Sequence, residues 1–529
     1  MKRPFILLLL SVVLGFCPKI SRAQYPIKSD PSLGEKYFSQ RNYKAALSVY
    51  LLLLKSDPKN VDYNLKVARC YLLSHSIKSK AIPHLEFVVA QPKFDYDAWL
   101  DLAKAYHYGN QFDKAINCYN KYKEKNAKKS DEVDRYIEQC VNGKELIKRS
   151  LDVTFENLGK NINSEFPDYY PFVSADDQTL VFTTRRKSTG GPEPDGFFPS
   201  DIFITNKKGD AWGKAVGIGG NVNTALDEQV TYLAQDGNTI LYYIDYIDIM
   251  GDLYMSKRIN GKGAFLKPSP LPSTVNSGFE TSGSIWVSPD GETEVLYFAS
   301  SRPDNLGQTD IYSCKRIPKS GPNGEVMYDW GTPVNLGPNI NTKWKEEFPM
   351  VSPDGKTLYF ASEGHSSMGG FDIFKSVWDE DENQWSKPRN LGYPINTADD
   401  ELTISFVPNS RIAYISAMRE DGLGDLDIYR VILNDMEGSE TIFRGLVLGS
   451  DSLTRLKDAI IHVENKKTNE EYGTYIPDKN KGYYIMALPP GKWRITIEAD
   501  GYSIYEEDIV LFDFAGFKPE IEKNFRLKK

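Results

Sequence analysis

The chain has 529 residues and a formal net charge of −8 at pH 7. This length is too great for one hydrophobic core and predicts about three or four domains. A hydrophobic share of 40% and an aromatic share of 12% suffice for well-packed globular units, whereas the mildly acidic balance disfavours a nucleic-acid-binding protein.

The first 23 residues have the features of a cleavable secretory signal. Two basic residues precede an apolar stretch over 5–16, and Ser21-Arg22-Ala23 has the small-x-small spacing of a cleavage site. The apolar stretch is too short to cross a bilayer comfortably, and no later stretch approaches the needed length. Cys17 leaves lipid attachment open as an alternative, but the bulky Phe16 before it disfavours that signal. The sequence predicts a soluble exported protein, periplasmic or held at the outer membrane only through partners.

Residues 24–150 are predicted to form an α-solenoid, because small and aromatic residues recur there with the spacing of paired antiparallel helices. The clearest unit comprises Trp99-Leu100, Ala103, Tyr106, Gly109, Phe112, Ala115 and Tyr119. This unit resembles the tetratricopeptide repeat, of which three or more stack into a curved solenoid.

The concave face of such a solenoid is a common peptide-binding groove. The candidate residues for this groove are Asn64, Arg69, Asp101 and Lys104. The alternative is that they are ordinary solvated helix positions, in which case the solenoid is a docking scaffold.

One long pattern occurs five times between Asp168 and Tyr429 and predicts a β-propeller over residues 151–436. The clearest copy contains Ile340-Asn341-Thr342, Glu346, Ser352-Pro353-Asp354-Gly355, Leu358-Tyr359-Phe360-Ala361-Ser362 and Asp372-Ile373-Phe374. The turn aspartate recurs as Asp176, Asp236 and Asp290, and degenerately as Asn409. Proline and glycine in this turn favour a tight hairpin. The count predicts five blades, or six if a diverged blade is present.

Closure of this ring is predicted to use an outer strand from the N-terminal side. The last blade lacks an outer strand, and residues 153–158 look like an outer strand without a blade. Pairing the two would leave no exposed sheet edge.

A carboxylate follows the repeat asparagine by four or five residues in every copy. These acids are Asp168, Glu228, Glu280, Glu346 and Glu401. If the innermost strands begin here, the five acids ring one mouth of the central channel, and such close like charges call for a basic partner or a raised pKa. The hypothesis is that this mouth binds a Lys- or Arg-bearing partner segment. The alternative is that each acid bonds backbone amides of the next blade.

Residues 437–529 are predicted to form a small β-sandwich of short alternating strands. Its turn signals include Gly482-Tyr483-Tyr484, Pro489-Pro490-Gly491 and Gly501-Tyr502. These residues resemble a carboxypeptidase regulatory-like domain, a transthyretin-like sandwich.

The five-copy pattern resembles the PD40 family of WD40-like propellers, related to the propeller of the Tol translocation protein. Solenoid, PD40 propeller and sandwich in series resemble periplasmic components of the Bacteroidetes type IX secretion and gliding machinery. Those components continue into an OmpA-like domain, whereas this sequence stops at Lys529, so peptidoglycan anchoring is not expected. The resemblance implies a cell-envelope assembly role.

Residue constellations for catalysis, metal binding or a cofactor are absent from the sequence. The nearest approach to a serine-hydrolase elbow, Gly364-His365-Ser366-Ser367-Met368, lacks the final glycine. The five histidines are scattered, and an HExxH motif and a phosphate-binding loop are missing. The acidic run over 379–383 lacks the glycine and distal glutamate of a calcium loop, which favours a solvated hairpin tip.

Four cysteines follow the signal segment: Cys70, Cys118, Cys140 and Cys314. They form no CxxC pair, so buried thiols are favoured, although a disulfide is possible in an oxidising compartment.

Two classes of function remain open. The first is a non-enzymatic exported adaptor that binds envelope or secretion-system proteins through its solenoid and propeller. The second is a glycan-binding accessory protein, since propellers and small sandwiches can present aromatic platforms for sugars.

Overall fold

The computed structural model describes residues 30–187, 190–246, 249–259, 263–288, 290–320, 326–379, 382–408, 410–434, 441–466, 468–489, 491–511 and 520–529. The predicted signal segment with Cys17, the turn residue Asn409 and part of the acidic run over 379–383 lie outside these residues.

Seven α-helices make up the N-terminal part, and each packs against the next along the chain. They are α1 (Pro31–Ser39), α2 (Tyr43–Ser56), α3 (Val61–Leu73), α4 (Ile82–Val89), α5 (Ala98–Tyr108), α6 (Phe112–Lys123) and α7 (Ser130–Lys148). Side-chain oxygens of Asn42 and Asn60 cap α2 and α3. Small residues allow close crossings: a Cβ added to Gly143 would come within 2.6 Å of the Phe112 ring. Antiparallel helix packing therefore follows the predicted spacing of small and aromatic residues.

Five antiparallel sheets follow, which we number 1 to 5 in chain order. Sheet 5 contains β1 (Val153–Asn157) with β21 (Ile404–Phe406), β22 (Ile412–Ala417) and β23 (Asp427–Leu433). Sheet 1 contains β2 (Asp168–Val173), β3 (Thr179–Thr184), β4 (Asp201–Lys208), β5 (Ala211–Trp212) and β6 (Val216–Gly217). Sheet 2 contains β7 (Asp227–Leu233), β8 (Thr239–Tyr246), β9 (Ile249–Lys257) and β10 (Ser269–Pro270). Sheet 3 contains β11 (Phe279–Val287), β12 (Glu294–Ser301), β13 (Asp310–Ser320), β14 (Val326–Trp330) and β15 (Val334–Asn335). Sheet 4 contains β16 (Glu346–Val351), β17 (Thr357–Ser362), β18 (Asp372–Asp379), β19 (Gln384–Trp385) and β20 (Arg389–Asn390).

The five sheets close into a propeller-like ring. Five hydrophobic clusters join sheet 1 to 2, 2 to 3, 3 to 4, 4 to 5 and 5 back to 1. In the last of these, Phe182 of sheet 1 and Tyr414 of sheet 5 belong to one buried cluster. β1 pairs antiparallel with β23, with Val153 opposite Leu433, so the predicted closure by an N-terminal strand is confirmed. The number of sheets agrees with the five copies of the pattern.

The hairpin turns between the first two strands of sheets 1 to 4 behave as their residues predict. Gly237, Gly291 and Gly355 have positive φ values of 72°, 75° and 76°. In sheet 1 the equivalent position is Asp177, with φ of 56°, a conformation that aspartate tolerates better than most residues.

The C-terminal residues form two further sheets that share one hydrophobic cluster. Their strands are β24 (Thr441–Leu448), β25 (Ile460–Asn465), β26 (Glu470–Tyr475), β27 (Tyr483–Leu488), β28 (Gly491–Glu498), β29 (Tyr505–Leu511), β30 (Glu520–Glu522) and β31 (Phe525–Arg526). β24 pairs with β27, β30 and β31, and β25 and β28 are central in the second sheet. Trp493 lies in the shared core and donates to the carbonyl of Pro489 at 2.8 Å.

The four cysteines of the described residues are free and buried, which confirms the buried-thiol prediction. Burial raises the pKa of the Cys70, Cys140 and Cys314 thiols to about 12. Among the described helices, none combines the length and the apolar character that a membrane crossing requires.

Candidate functional site

The repeat asparagine of each copy joins two neighbouring sheets. In the clearest copy, the Asn341 Oδ1 atom accepts from the Ile311 amide at 2.8 Å, and its Nδ2 atom donates to the Ile311 carbonyl at 3.0 Å. Asn163, Asn223, Asn276 and Asn396 bond the backbone of Ile428, Ile202, Leu253 and Ile373 in the same way. The side-chain amide thus forms the pair of hydrogen bonds that a residue of a neighbouring β-strand would form. The residue with which it pairs is always the one directly after a repeat aspartate. Both elements of the pattern are explained by the packing of one sheet on the next.

The five predicted acids begin or directly precede the innermost strands, but their carboxylates are buried and hydrogen-bonded. Glu346 accepts from the Thr342 amide at 2.9 Å and from the hydroxyls of Thr342 and Ser362 at 2.7 Å each. Glu228 and Glu401 bond the amide and hydroxyl of Thr224 and Thr397 in the same manner. Four of the five acids are 0% exposed, and Glu401 is 7% exposed.

Asp168 and Glu280 have an arginine in addition. The Asp168 carboxylate accepts from Ser164 and from Arg186, and Glu280 accepts from Ser300 at 2.6 Å with Arg302 at 3.5 Å. Burial is the main cause that raises the pKa of both acids, and the adjacent arginines oppose it. For these two acids, the positive charge that a buried carboxylate requires comes from an arginine of the chain itself.

The helices cover the end of the ring where these acids lie, which we call the helix face. Lys78 bonds Asp399, two residues before Glu401, and His75 contacts Asp425 at 2.9 Å, two residues before β23. Arg135 of α7 donates to the carbonyls of Glu363 at 2.5 Å and Gly364 at 2.8 Å, directly after β17.

The hypothesis that the five acids receive a basic partner segment is therefore wrong, because their carboxylates are buried and already paired. The alternative is correct in kind, since they do bond backbone amides. Those amides, however, belong to the linker that precedes each acid, such as Thr342 before Glu346, and not to the next blade.

Three of the four groove candidates in the helices lie together. Arg69, Asp101 and Lys104 line a cavity of about 220 Å³. Arg69 pairs with Asp101 and with Asp95, at 2.8 Å each. Burial raises the pKa of Asp101 and lowers that of Lys104.

The fourth candidate, Asn64, is buried apart from this cavity. Its amide donates to the carbonyls of Pro58 and Asn60, and its oxygen contacts His84 at 2.8 Å. Asn64 therefore holds the start of α3 and is not positioned to bind a partner.

A much larger cavity, of about 1070 Å³, lies at the opposite end of the ring. We call this end the turn face, because it carries the hairpin turns of Asp176, Asp236, Asp290 and Asp354. All five sheets contribute to the lining of the cavity. Its apolar and aromatic residues include Phe172, Tyr232, Trp286, Met350, Tyr359 and Phe406. No hydrogen bond of the described residues joins the helices to this face.

A β-bulge in four of the innermost strands precedes the residues that reach this cavity. The register shifts between Tyr169 and Phe172 in β2 and between Glu347 and Met350 in β16, and β7 and β11 show the same irregularity. The extra residue re-aims the side chains that follow it. At the bulges of β2 and β16, Tyr170 and Phe348 have positive φ, and their ring centroids approach within 4.6 Å. Since sheets 1 and 4 are not neighbours, this contact crosses the channel and narrows it between the two faces.

This cavity could not be predicted from a repeated pattern, because its lining residues differ in type from sheet to sheet. The available signal was positional: each innermost strand ends in apolar residues just before the turn aspartate. Glu347 was not predicted either. It is buried near the bulge of β16, and its carboxylate accepts from Thr281, Ser282 and Thr309.

The buried acids predict a pH dependence of stability. Burial raises the pKa of Glu228 and Glu346 from 4.5 to about 7. The folded protein therefore holds protons that the unfolded chain releases above pH 4.5, and stability is lost as the pH rises towards 7. We expect the difference in the free energy of unfolding, Glu346→Gln minus wild type, to rise with pH across this window. The rise should be about 1.4 kcal/mol for each unit by which the pKa is shifted. Denaturant titrations between about pH 5 and 8 measure this difference, and the exposed Glu292→Gln is the control. An unchanged slope in Glu346→Gln would show that this carboxyl titrates normally.

Comparisons with known proteins give no family assignment. No family model matches the chain. No curated protein matches it either.

Three of the solved structures that resemble the chain illustrate the range of similar folds. TolB from Acinetobacter baumannii is 14% identical over 51% of this chain, with a TM-score of 0.30, and the chain covers 56% of TolB. The endo-arabinase from Bacteroides thetaiotaomicron is 13% identical over 52% of this chain and 96% of its own, with a TM-score of 0.35. The α-L-arabinofuranosidase from Podospora anserina is 14% identical over 54% of this chain and 98% of its own, with a TM-score of 0.33. These TM-scores are low, so the description of the ring rests on its own strand order and contacts.

Proposed function

We propose that this chain is a non-enzymatic, exported adaptor of a cell-envelope complex. Its helices, of the tetratricopeptide type, hold a PD40 propeller whose turn face binds a partner protein. Its C-terminal sheets are of the carboxypeptidase regulatory-like type. The order of the three domains resembles that of periplasmic components of the type IX secretion and gliding machinery. The observation that carries the proposal is the pairing of a helix-covered face with an opposite face that has a large apolar cavity.

The contacts of the helix face support a fixed orientation of the propeller. Arg135, Gln139 and Asn142 of α7 all donate to the segment over 363–369, and His107 of α5 contacts the Met368 carbonyl at 2.7 Å. Burial lowers the pKa of His107 to about 4, so this imidazole is neutral near pH 7. A propeller held in this way presents its turn face away from the helices, as an adaptor requires.

The lining of the cavity supports binding without catalysis. A glycosidase needs two carboxyl groups placed across the scissile bond. Here Asp236 and Asp354 lie in the hairpin turns, Glu294 pairs with Arg316 at 2.6 Å, and Asp329 pairs with Lys319 at 3.0 Å. The innermost strands contribute apolar residues and hydroxyls to the cavity instead.

Glycan binding is a second candidate, favoured by the aromatic residues of the same cavity. Trp286 and Tyr359 belong to its lining, and Tyr328, also in the lining, is 60% exposed. Such rings can stack on sugars. Binding of the full chain to a glycan array that is lost in Tyr328→Ala would favour this candidate over the adaptor.

A surface substitution in the cavity tests the adaptor proposal. Val287 lines the cavity and is 45% exposed, so Val287→Arg is expected to fold and to block the site. Val216→Arg is the matched control, because Val216 is 56% exposed in β6 and lies outside the cavity. In cells that export the protein, crosslinking and mass spectrometry should find an envelope protein bound to wild type and to Val216→Arg. We expect at least a tenfold loss for Val287→Arg, equal to about 1.4 kcal/mol. Equal crosslinking of the two variants would refute binding at this face.

A further inference from the structure

The cavity on the turn face is elongated and not confined to the channel mouth. Its lining includes the innermost strands β7 and β11 and also Ser269 and Pro270 of β10 and Tyr328 and Trp330 of β14, which are outer strands of sheets 2 and 3. A groove that runs from the channel mouth to the outer strands between two sheets fits an extended chain better than a rounded surface. Its volume of about 1070 Å³ accommodates several side chains.

The charged residues of the lining have an acidic excess. Arg316 is neutralised by Glu294, and Asp329 is paired with Lys319. The other charged residues of the lining are Asp236 and Asp354, which are acidic, and Lys257, which is basic. Neither aspartate has an ion pair within the described part of the chain.

The adjacent turns add to this excess. Asp176, Asp290 and Glu292 are exposed beside the cavity, whereas Arg258 and Lys356 are the basic residues of these turns. Arg258 is directed to the Gly237 carbonyl, at 3.0 Å. Asp236 uses both carboxylate oxygens to accept from Asn238 of its own turn. The other turn aspartates use one: the Asp354 Oδ1 atom accepts from the Ser352 hydroxyl and the Lys356 backbone amide. Its second oxygen is free for a ligand, and the same is true of Asp176 and Asp290.

We propose that the groove that runs from the channel mouth to the outer strands of sheets 2 and 3 binds an extended peptide segment that combines apolar side chains with lysine or arginine. The inference rests on the proposed adaptor function and names the chemistry of its partner. The apolar side chains occupy the lining around Tyr232, Trp286 and Met350, and the basic groups face the turn aspartates. The basic partner expected from the sequence thus binds at the turn face and not at the buried acids of the helix face.

The charge of the ligand can be read from an unbiased selection. Random peptides displayed on phage are selected on the full chain, and those that do not bind Val287→Arg are kept. We expect the retained peptides to be enriched in lysine or arginine next to aromatic or aliphatic residues. Retained peptides that are neutral or acidic would overturn the inference while leaving the adaptor proposal intact.

Synthetic copies of the retained peptides then test the two aspartates by fluorescence anisotropy. Asp236→Asn combined with Asp354→Asn removes two charges but keeps a side-chain oxygen for each turn. The control is Asp451→Asn combined with Asp478→Asn, since these exposed aspartates also accept from two amides of their own turns. We expect affinity to fall by roughly fivefold in the first double variant, to be unchanged in the second, and to weaken with salt.

Two results would count against the inference at this stage. Equal affinity of the two double variants for a basic peptide would show that the turn aspartates do not recognise it. If no peptide discriminates wild type from Val287→Arg and crosslinking also fails to do so, the adaptor proposal itself is wrong.

Discussion

Replacing Arg135 by alanine should separate the helices from the propeller-like ring. Arg135 is only 9% exposed, and its guanidinium donates to the carbonyls of Glu363, Gly364 and His365 and to the Ser367 hydroxyl. Removing it takes away four hydrogen bonds from a charged donor, each of which contributes about 1.5–3 kcal/mol. The acceptors at Glu363, Gly364 and Ser367 keep one other donor each, at 3.2 Å. Since water can enter and satisfy part of this demand, we expect a loss of about 3 kcal/mol.

The measurement is guanidinium unfolding followed by two signals. Circular dichroism reports mainly on the helices, and tryptophan fluorescence reports mainly on the sheets. In wild type the two transitions should coincide, whereas in Arg135→Ala the helices should unfold at lower denaturant than the sheets.

Arg149→Ala is the matched control, because Arg149 is exposed at the end of the same helix. It should change the free energy of unfolding by less than about 0.5 kcal/mol. Coincident transitions and unchanged stability in Arg135→Ala would mean that α7 contributes little to docking. The two parts would then be held together by contacts outside α7, which include those of Lys78, His75 and His107.

The sequence predicted the ring well because its repeats record local bonding. Asn341 and Glu346 have counterparts in every copy, and the acid accepts from a backbone amide of the preceding linker each time. Asp372 accepts from the amide four residues before it, as do Asp310 and Asp427. A residue type that must satisfy the same backbone groups in every copy leaves a visible pattern. The strand order and the closure by β1 follow from that pattern and from the unpaired edge.

The candidate sites were harder to predict because they depend on contacts between distant residues. The spacing placed Glu401 correctly at the helix face, but it could not show that Lys78, more than 300 residues earlier, docks beside it. Nor could it show that Thr397 would pair with the Glu401 carboxylate. In the helices, Arg69 of α3 lies beside Asp101 and Lys104 of α5. Helical periodicity indicates which side chains of one helix share a face, but the packing of α3 on α5 is a contact between distant residues.

The cavity of the turn face, in contrast to the residues that join the sheets, is not formed by a repeated residue type. The residues that the innermost strands contribute occupy equivalent positions but differ in type, from Phe172 to Met350 and Ser405. A surface that recognises one particular ligand has no reason to repeat the same residue five times. A search for repeated residues therefore finds those that join the sheets of the ring and does not find the lining of this cavity.

Replacing Asn163 by alanine should have the second large effect, because this residue joins the two ends of the ring. Asn163 is 3% exposed. It accepts from the Ile428 amide at 2.9 Å and donates to the Ile428 carbonyl and to Asn157, at 3.0 Å each. Alanine leaves the buried amide of Ile428 unpaired, whereas the Ile428 carbonyl keeps the Leu158 amide as a donor at 3.2 Å. At about 1–3 kcal/mol for one buried unpaired group, we expect a loss of about 2 kcal/mol.

Hydrogen exchange shows which strands lose stability in Asn163→Ala. The amide of Ile428 and its neighbours in β23 should exchange faster in Asn163→Ala, whereas β8 and β12, on the far side of the ring, should keep their protection until global unfolding. Asn117→Ala on the exposed face of α6 is the control and should leave stability within about 0.5 kcal/mol. A loss below about 1 kcal/mol, with unchanged exchange at Ile428, would mean that the pairing of β1 with β23 closes the ring without the asparagine clamp. The repeat asparagine would then be needed for the order of folding or for packing between the other sheets, and not for closure.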